Sequence, residues 1–500
     1  MLASQLSNVL SKAEKMLINP SYLRPRHTLY LLLIATIIGV LLGTAIAFFS
    51  PDIVIVALII LLAVVLVLKN PVLGILSLIA LTSTVLDSVS NPGISLGFGH
   101  IYLTDIILFT MFCLIGWELL THLEAKFVRT SYDVPLLVFV GVTFISAMVA
   151  ISRGHITFKG VLGPMRDIFN LLIFFAVTNL IKNRKQLRLL QRSIIAFACV
   201  VSVVMVAQYF LGTTLPFLPG RVETLSTEGT RFYSVTRIIP PGYSITFIAF
   251  VTVASIWFFD KEQSSNILLT IPLALTGIGV LLTFKRHFWG ALVIIFAIMV
   301  LISNRKELQR ILLRGLSTTA IMLVGLFFIM NYTGSFGPKL VSSSADRMFS
   351  LLRSDTYNDP NSSLRWRDFE NQYARIQIRS HPFIGIGLGA NYRPWVPDKD
   401  WSGYDGRGYI HSGFYWLLLR TGGIGFLAMM GIVIGSIIRG FKYWREVPNG
   451  AYLIGFTLGI IGMLIGNWVE PLISEWYWTA LTATMLGANE LTIRFANNKA

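Results

Sequence analysis

The sequence predicts an all-α polytopic integral membrane protein of about 12–14 transmembrane helices, broken by one long segment outside the bilayer. Three observations predict it. The 500 residues are 54% hydrophobic and only 13% charged. The apolar runs repeatedly reach the roughly 17–25 residues that a helix needs to cross a hydrocarbon core about 30 Å thick. Polar residues gather between the runs, and backbone groups in lipid must be paired within their own segment, so the runs are helices.

In chain order, the spans are expected at 29–49, 53–68, 71–88, 101–119, 134–151, 166–181, 191–211, 243–259, 266–283, 287–303, 311–330, 413–439, 451–468 and 473–490. Residues 1–28 are polar and basic and read as a cytoplasmic segment, not a cleavable signal. Alternate crossings from that side bring Lys126, Arg129, Lys182, Arg184, Lys185, Arg188, Arg192, Arg305, Lys306, Arg310, Arg314, Arg439, Lys442 and Arg445 to one face. That is the sorting the positive-inside rule requires. Residues 29–330 then hold transmembrane helices 1–11, 331–412 form an extracytoplasmic loop, 413–490 return to the membrane, and 491–500 are a cytoplasmic tail.

The formal charge of +16 is accounted for by this topology. Neither a basic soluble domain nor a zinc-type Cys/His spacing supports nucleic-acid binding. Cys113 and Cys199 each lie in an apolar run and read as small packing residues.

The outer loop is too long for a connector. Ser362 or Ser363 can cap a helix over about 364–379. Trp366, Phe369, Tyr373 and Ile376 fall on one face of it, and Arg367, Arg375 and Arg379 form a neighbouring stripe. Such a helix suits the surface of an anionic bilayer. Pro382 ends it, and Gly385, Gly387 and Gly389 give a flexible turn. The run from His411 to Ile438 spans roughly 42 Å as a helix, more than a bilayer crossing needs. Thr421, Gly422, Gly423 and Gly425 interrupt it, so a short surface helix, a hinge at Gly422 and Gly423, and then the true span are expected. Arg420 is thereby placed near the outer headgroups, away from mid-membrane.

His411 precedes Ser412, a good cap, and so stands at a helix N-terminus. The positive end of the helix dipole favours neutral imidazole there, which suits a general base. An interfacial capping histidine is the plainer reading. Arg153, Arg166, Arg221, Arg231, Arg237, Arg286 and the 365–379 group fall on the outer side, where topology does not explain them. Lys285, Arg286 and His287 form a basic turn between two spans. A phosphate-bearing lipid would explain the set, because guanidinium grips phosphate oxygens in two-pronged fashion; headgroup anchoring by snorkelling side chains is the alternative. Asp355, Asp359, Asp368 and Glu370 match no defined metal loop and are expected to pair with arginines. GIGLG lacks the Gly-Lys-Ser/Thr of a phosphate loop. Glu470 stands between the last two spans, placed to orient a ligand or pair with an arginine.

The order of these features resembles the O-antigen ligase and O-antigen polymerase superfamily of bacterial envelope glycosyltransferases. The resemblance rests on Arg286 in the mid-chain basic turn, Arg365 with Phe369, His381 with Pro382, Gly385 and Gly387, and His411 with Gly422. It covers about a quarter of the chain. Ser412 replaces the family's usual asparagine, and Lys285 its usual serine. The resemblance implies a GT-C-like fold in the bacterial inner membrane with its active site on the extracytoplasmic face. It implies an inverting transfer of a glycan from undecaprenyl pyrophosphate to a sugar hydroxyl on a lipid-anchored or growing acceptor, with no metal or other cofactor. His411 and Arg365 would be catalytic, and Arg286, with Arg166, Arg231, Arg367 and Lys285, would hold pyrophosphate and glycan. A transporter or flippase for lipid-linked sugars or small solutes is the competing class. It calls for charges along the middle of several spans, whereas the ionisable residues here gather at one surface.

Overall fold

The computed structural model describes residues 51–497, apart from several short loop stretches and the segments 225–235, 316–362 and 397–406. The chain divides near Ala63 into two units, and the architecture below is that of the second. Residues 1–50, with the first expected span, and Arg231, Asp355 and Asp359 lie outside the described residues.

Helices dominate, in the order α1 (Pro51–Lys69), α2 (Pro71–Thr82), α3 (Leu103–Thr121), α4 (Asp133–Ser152), α5 (Phe158–Phe169), α6 (Ile173–Leu180) and α7 (Arg184–Leu211). Then come α8 (Tyr243–Phe259), α9 (Thr270–Leu282), α10 (Arg286–Ile302), α11 (Ser363–Ser380), α12 (Gly413–Tyr443), α13 (Gly450–Gly466) and α14 (Trp476–Asn497). The protein is an all-α polytopic membrane protein. Among the described residues, five stretches are long and apolar enough to cross a bilayer alone: α3, α4, α5 continued through α6, α7 and α12. Two antiparallel strand pairs, β1–β2 (Gly93–Leu96 with Gly99–Tyr102) and β3–β4 (Arg221–Thr224 with Thr236–Ile239), lie between helices. The expected outer segment 152–165 is partly helical, because α5 begins at Phe158.

The bundle is organised around α8, α13 and α14, which are buried on nearly all sides. An apolar helix without a polar face belongs in an interior or in lipid. The peripheral helices take the second course: Phe109, Leu120, Val134, Leu301 and Leu427 project outward. Gly455, Gly459 and Gly462 of α13 lie against Thr252, Ile248 and Phe247 of α8, where an added Cβ would stand 2.5–2.8 Å from its neighbour. Small residues at this spacing let the backbones approach closely enough to pack without a hydrophobic driving force.

The bundle has two unlike ends. One collects the basic connections: Arg439 grips Glu490 at 2.8 and 2.9 Å, Arg445 meets Glu307 at 3.0 Å, and Lys182 meets Glu118 at 2.7 Å. There Arg184 and Arg314 donate to the carbonyls of Phe495 and Trp257. The other end carries the starts of α8, α10, α12 and α14, together with α11.

Candidate active site

α11 is fixed to the second end by its narrow apolar face. Ala374, wholly buried, packs with Ile386, Ala390, Tyr392, Ile410 and Leu419, and Ile378 joins them. The expected aromatic face is present as a ladder, with Trp366 stacked on Phe369 and Phe369 edge-on to Tyr373, each pair at 5.0 Å. Ile376 leaves it and is 61% exposed. The Arg393 guanidinium covers Trp366 at 4.7 Å, so this face is folded partly against protein. Of the expected arginine stripe, Arg375 donates to the Tyr415 hydroxyl at 2.8 Å, whereas Arg367 turns inward.

The glycine-rich turn after α11 wraps Arg420, so its guanidinium is enclosed by protein. Arg420 is 2% exposed and donates to the carbonyls of Gly387, Ala390 and Gly408. A buried cation needs such partners, and a turn with positive φ at Gly385, Gly387 and Gly389 supplies carbonyls pointing inward. The expected break in α12 falls at Gly422 (φ 62°, ψ −166°). It is clamped there: Gly423 N–H donates to the Pro382 carbonyl at 2.7 Å, and a Cβ on Gly422 would strike the Phe383 carbonyl at 2.2 Å.

His411 lies just ahead of α12. Ser412 is the N-cap by position, but its side chain makes no capping bond. Instead Gly413 N–H donates to the Asn467 carbonyl at 2.7 Å. The partner of His411 is Glu370. Glu370 Oε2 stands 2.8 Å from His411 Nδ1 and accepts the His411 backbone N–H at 3.0 Å. The expectation that Glu370 pairs with an arginine is thus corrected; three residues after Arg367 and four before Ala374, it sits on the buried face of α11. A carboxylate only accepts, so Nδ1 carries the proton and Nε2 is left with its lone pair. The imidazole is 30% exposed and Glu370 1%, with Tyr409 edge-on to the ring at 4.9 Å.

A second charged group adjoins. Phe284 takes φ +48°, a region unfavourable for a bulky residue, and so turns the chain sharply into Lys285. Lys285 is the N-cap of α10, and Arg286 and His287 open the helix. Lys285 is 4% exposed, lies 3.8 Å above the Tyr243 ring and grips both oxygens of Glu470. Burial pulls the Lys285 ammonium below its ordinary value, against the charges of Glu470 and Glu475. Burial works against the Glu470 charge as well, but Lys285 and His287 outweigh it and hold the carboxyl below the usual range. Glu475 meets the Tyr243 and Tyr477 hydroxyls; burial and the Glu470 charge, against the pull of Lys285, push it up to about 7.

Arg367 joins the two groups. Burial lowers its pKa first; Tyr409, Glu370 and Glu470 act to raise it and Arg286 to lower it, so it stands between them. Of the sequence-predicted residues, His411, Arg367, Arg286 and Lys285 therefore come together. Arg365 is exposed on the first turn of α11. Arg166 is held aside by its Nε–H, shared between both Asp105 oxygens at 3.0 Å, and by the Tyr102 ring. Sequence reasoning missed Asn467, Glu475 and the pairing of Glu370; helical phase on α11 was the one available signal. Several buried polar atoms here lack a hydrogen-bond partner among the described residues: Arg367 Nε, Glu370 Oε1, Asn371 Oδ1, Ser412 Oγ, Asn467 Nδ2 and His287 Nε2, the last standing 3.4 Å from Glu470 outside bonding geometry.

Residues 271–430, which run from α9 through the first half of α12 and so hold Lys285, Arg286, Arg367, Glu370 and His411, match the family model described as O-antigen ligase. No curated protein matches the chain. The match falls on the segment in which these groups meet; that segment is similar to the O-antigen ligase family, and the similarity supports a multi-pass membrane enzyme of glycan transfer.

Proposed function

We propose that the enzyme transfers a glycan from undecaprenyl pyrophosphate to a sugar hydroxyl on a lipid-anchored or growing acceptor, at the extracytoplasmic face of the bacterial inner membrane. The observation that carries this reading is the Glu370–His411 pair beside Arg367, with Arg286 acting on Arg367 in turn. With Nδ1 fixed by Glu370, His411 Nε2 takes the acceptor's hydroxyl proton as the oxygen attacks the anomeric carbon. Glu370 stabilises the imidazolium as it forms. The bond from the anomeric carbon to the diphosphate breaks, its electrons stay on the leaving oxygen, and attack from the opposite face inverts the centre. Arg367 and Arg286, with Lys285 behind them on Glu470, would balance that developing charge, the part a divalent cation plays in many pyrophosphate-releasing enzymes. The partly exposed imidazole then returns its proton to water. In this reading Arg365 meets the donor from the rim of the site, and no cofactor is required.

The test is transfer by purified protein given a polyprenyl-pyrophosphate glycan, with and without EDTA. Wild type should be active in both conditions, and His411→Ala and Arg286→Ala should be inactive or nearly so. Activity that survives His411→Ala, or that EDTA abolishes, overturns the mechanism. Label moving onto a lipid-anchored core sugar identifies a ligase, and lengthening repeats on the carrier identify a polymerase.

A further inference from the structure

Near the charged cluster is a pocket that the proposed chemistry does not use. Tyr102, Gly163, Pro164, Arg166, Asp167 and Trp476 surround about 240 Å³. That space is on the scale of a single sugar ring.

Its walls are set in advance. Arg166 bonds both Asp105 oxygens at 3.0 Å and the His100 carbonyl at 2.7 Å, and its guanidinium lies 4.3 Å from the Tyr102 ring centre. The β1–β2 hairpin, absent from the sequence reading, carries His100 and Tyr102 and so builds this wall. Trp476 opens α14 and is 7% exposed. Two polar groups of the lining are left over: among the described residues, neither the Asp167 carboxyl nor the Trp476 indole N–H makes a side-chain hydrogen bond. Arg166 and Glu475 are the charges that act on Asp167.

Aromatic surface with a few fixed polar groups is the usual make-up of a specific small-molecule site. The leftover acceptor beside a leftover donor narrows the class. A sugar ring presents apolar C–H faces to an indole and hydroxyls that both donate and accept at its rim. A phosphate would meet the carboxyls of Asp167 and Glu475, and an acyl chain would leave both polar groups unpaired. We propose that this pocket is a subsite for one neutral or amino-sugar ring of the transferred glycan or its acceptor; the assignment to that glycan rests on the transfer reading above. Continuity with the charged cluster supports it. Glu475, the residue before Trp476, accepts from the Tyr243 hydroxyl at 3.3 Å, and the Tyr243 ring carries Lys285.

The test is saturation-transfer NMR on the full chain in nanodiscs, with glucose, galactose, mannose and N-acetylglucosamine as probes at millimolar concentration. Inorganic pyrophosphate binding is measured in parallel. Wild type should bind at least one of the sugars. Asp167→Asn and Trp476→Phe should each weaken it about tenfold, the worth of one lost polar contact, while pyrophosphate binding stays within about twofold. The proposal is overturned if no sugar binds, if both variants bind as wild type does, or if sugar and pyrophosphate binding fall together, which assigns the pocket a purely structural part. Should glycan transfer be undetectable while sugar binding still depends on Asp167 and Trp476, the subsite stands and the reaction falls.

Discussion

The two ends of the helix bundle are both rich in charge, but they use it differently. At the basic end each acid named above has a cation on it: Glu490 holds Arg439 by two bonds of 2.8 and 2.9 Å, and Glu307 holds Arg445 at 3.0 Å. Guanidiniums left over there close the carbonyls at the ends of α8 and α14. These pairs cross-link helix termini, and nothing in them waits for a ligand. At the His411 end the charges are closer together and more deeply buried, yet they leave polar atoms of Arg367, Glu370, Asn371, Ser412 and Asn467 without partners among the described residues. Burying a polar atom unsatisfied costs about 1–3 kcal/mol. Tyr132, Gln191 and Asn489 leave such atoms toward the basic end as well, but at the His411 end they are more numerous and belong to the charged groups themselves, as expected of a site shaped for something other than the protein itself.

The sharpest way to break this comparison is to remove a group from each end. His411→Ala should lower the transfer rate per folded molecule about 100- to 10,000-fold, the range for loss of a general base, and because it strands the buried Glu370 carboxyl it should lower the melting temperature as well. Glu370→Gln should lower it about 100-fold at unaltered donor KM, since the amide no longer fixes the tautomer or stabilises imidazolium. Arg439→Ala should do the reverse. It strands Glu490, 10% exposed, and should cost about 1–3 kcal/mol in stability while leaving KM and the rate per folded molecule alone. A rate loss for Arg439→Ala equal to that of Glu370→Gln would erase the distinction between the ends.

Lys285 sharpens the comparison, because it belongs to both kinds of pairing. Lys285→Ala leaves Glu470 buried without its main partner and should destabilise the fold by roughly 3–5 kcal/mol. Replacing both, as Lys285→Met with Glu470→Leu, should recover most of that stability and none of the donor affinity. Thermal unfolding alongside donor titration separates the two effects. Full recovery of donor affinity in the double variant would make the pair a structural lock like those at the far end.

The membrane architecture was legible because apolar run length is a local property. The span expected at 243–259 is α8 to the residue, and the break expected near Gly422 lies there. What was not legible is pairing. Arg420 closes carbonyls 12–33 residues away in sequence, and Glu370 reaches His411 across 41. Only packing decides which cation an acid meets. The two strand pairs were missed because four-residue strands carry too little alternation to be told from loop. Arg367 and Arg365 are neighbours in the sequence, and nothing but the phase of α11 turns one inward and leaves the other exposed.

The smallest effect concerns Glu475, the carboxyl left without a cation of its own once Lys285 is taken by Glu470. Its folded pKa is about 7, against about 4.3 for an unperturbed glutamate. The folded protein therefore holds this proton over a range in which the unfolded chain has released it. The stability it contributes is fully present below about pH 4.3 and is lost as pH rises through the folded value, ~1–3 kcal/mol in all. Glu470 has the opposite sign: its pKa is depressed, so its contribution is present above the ordinary glutamate value and lost on acidification. Between pH 5 and 8 the melting temperature should thus fall with a slope owed to Glu475, and Glu475→Gln, which keeps the hydrogen bonds and never charges, should flatten it. Parallel curves for wild type and Glu475→Gln would show that the carboxyl is already ionised at pH 5, and that this end of the bundle carries one more fixed negative charge than its burial permits.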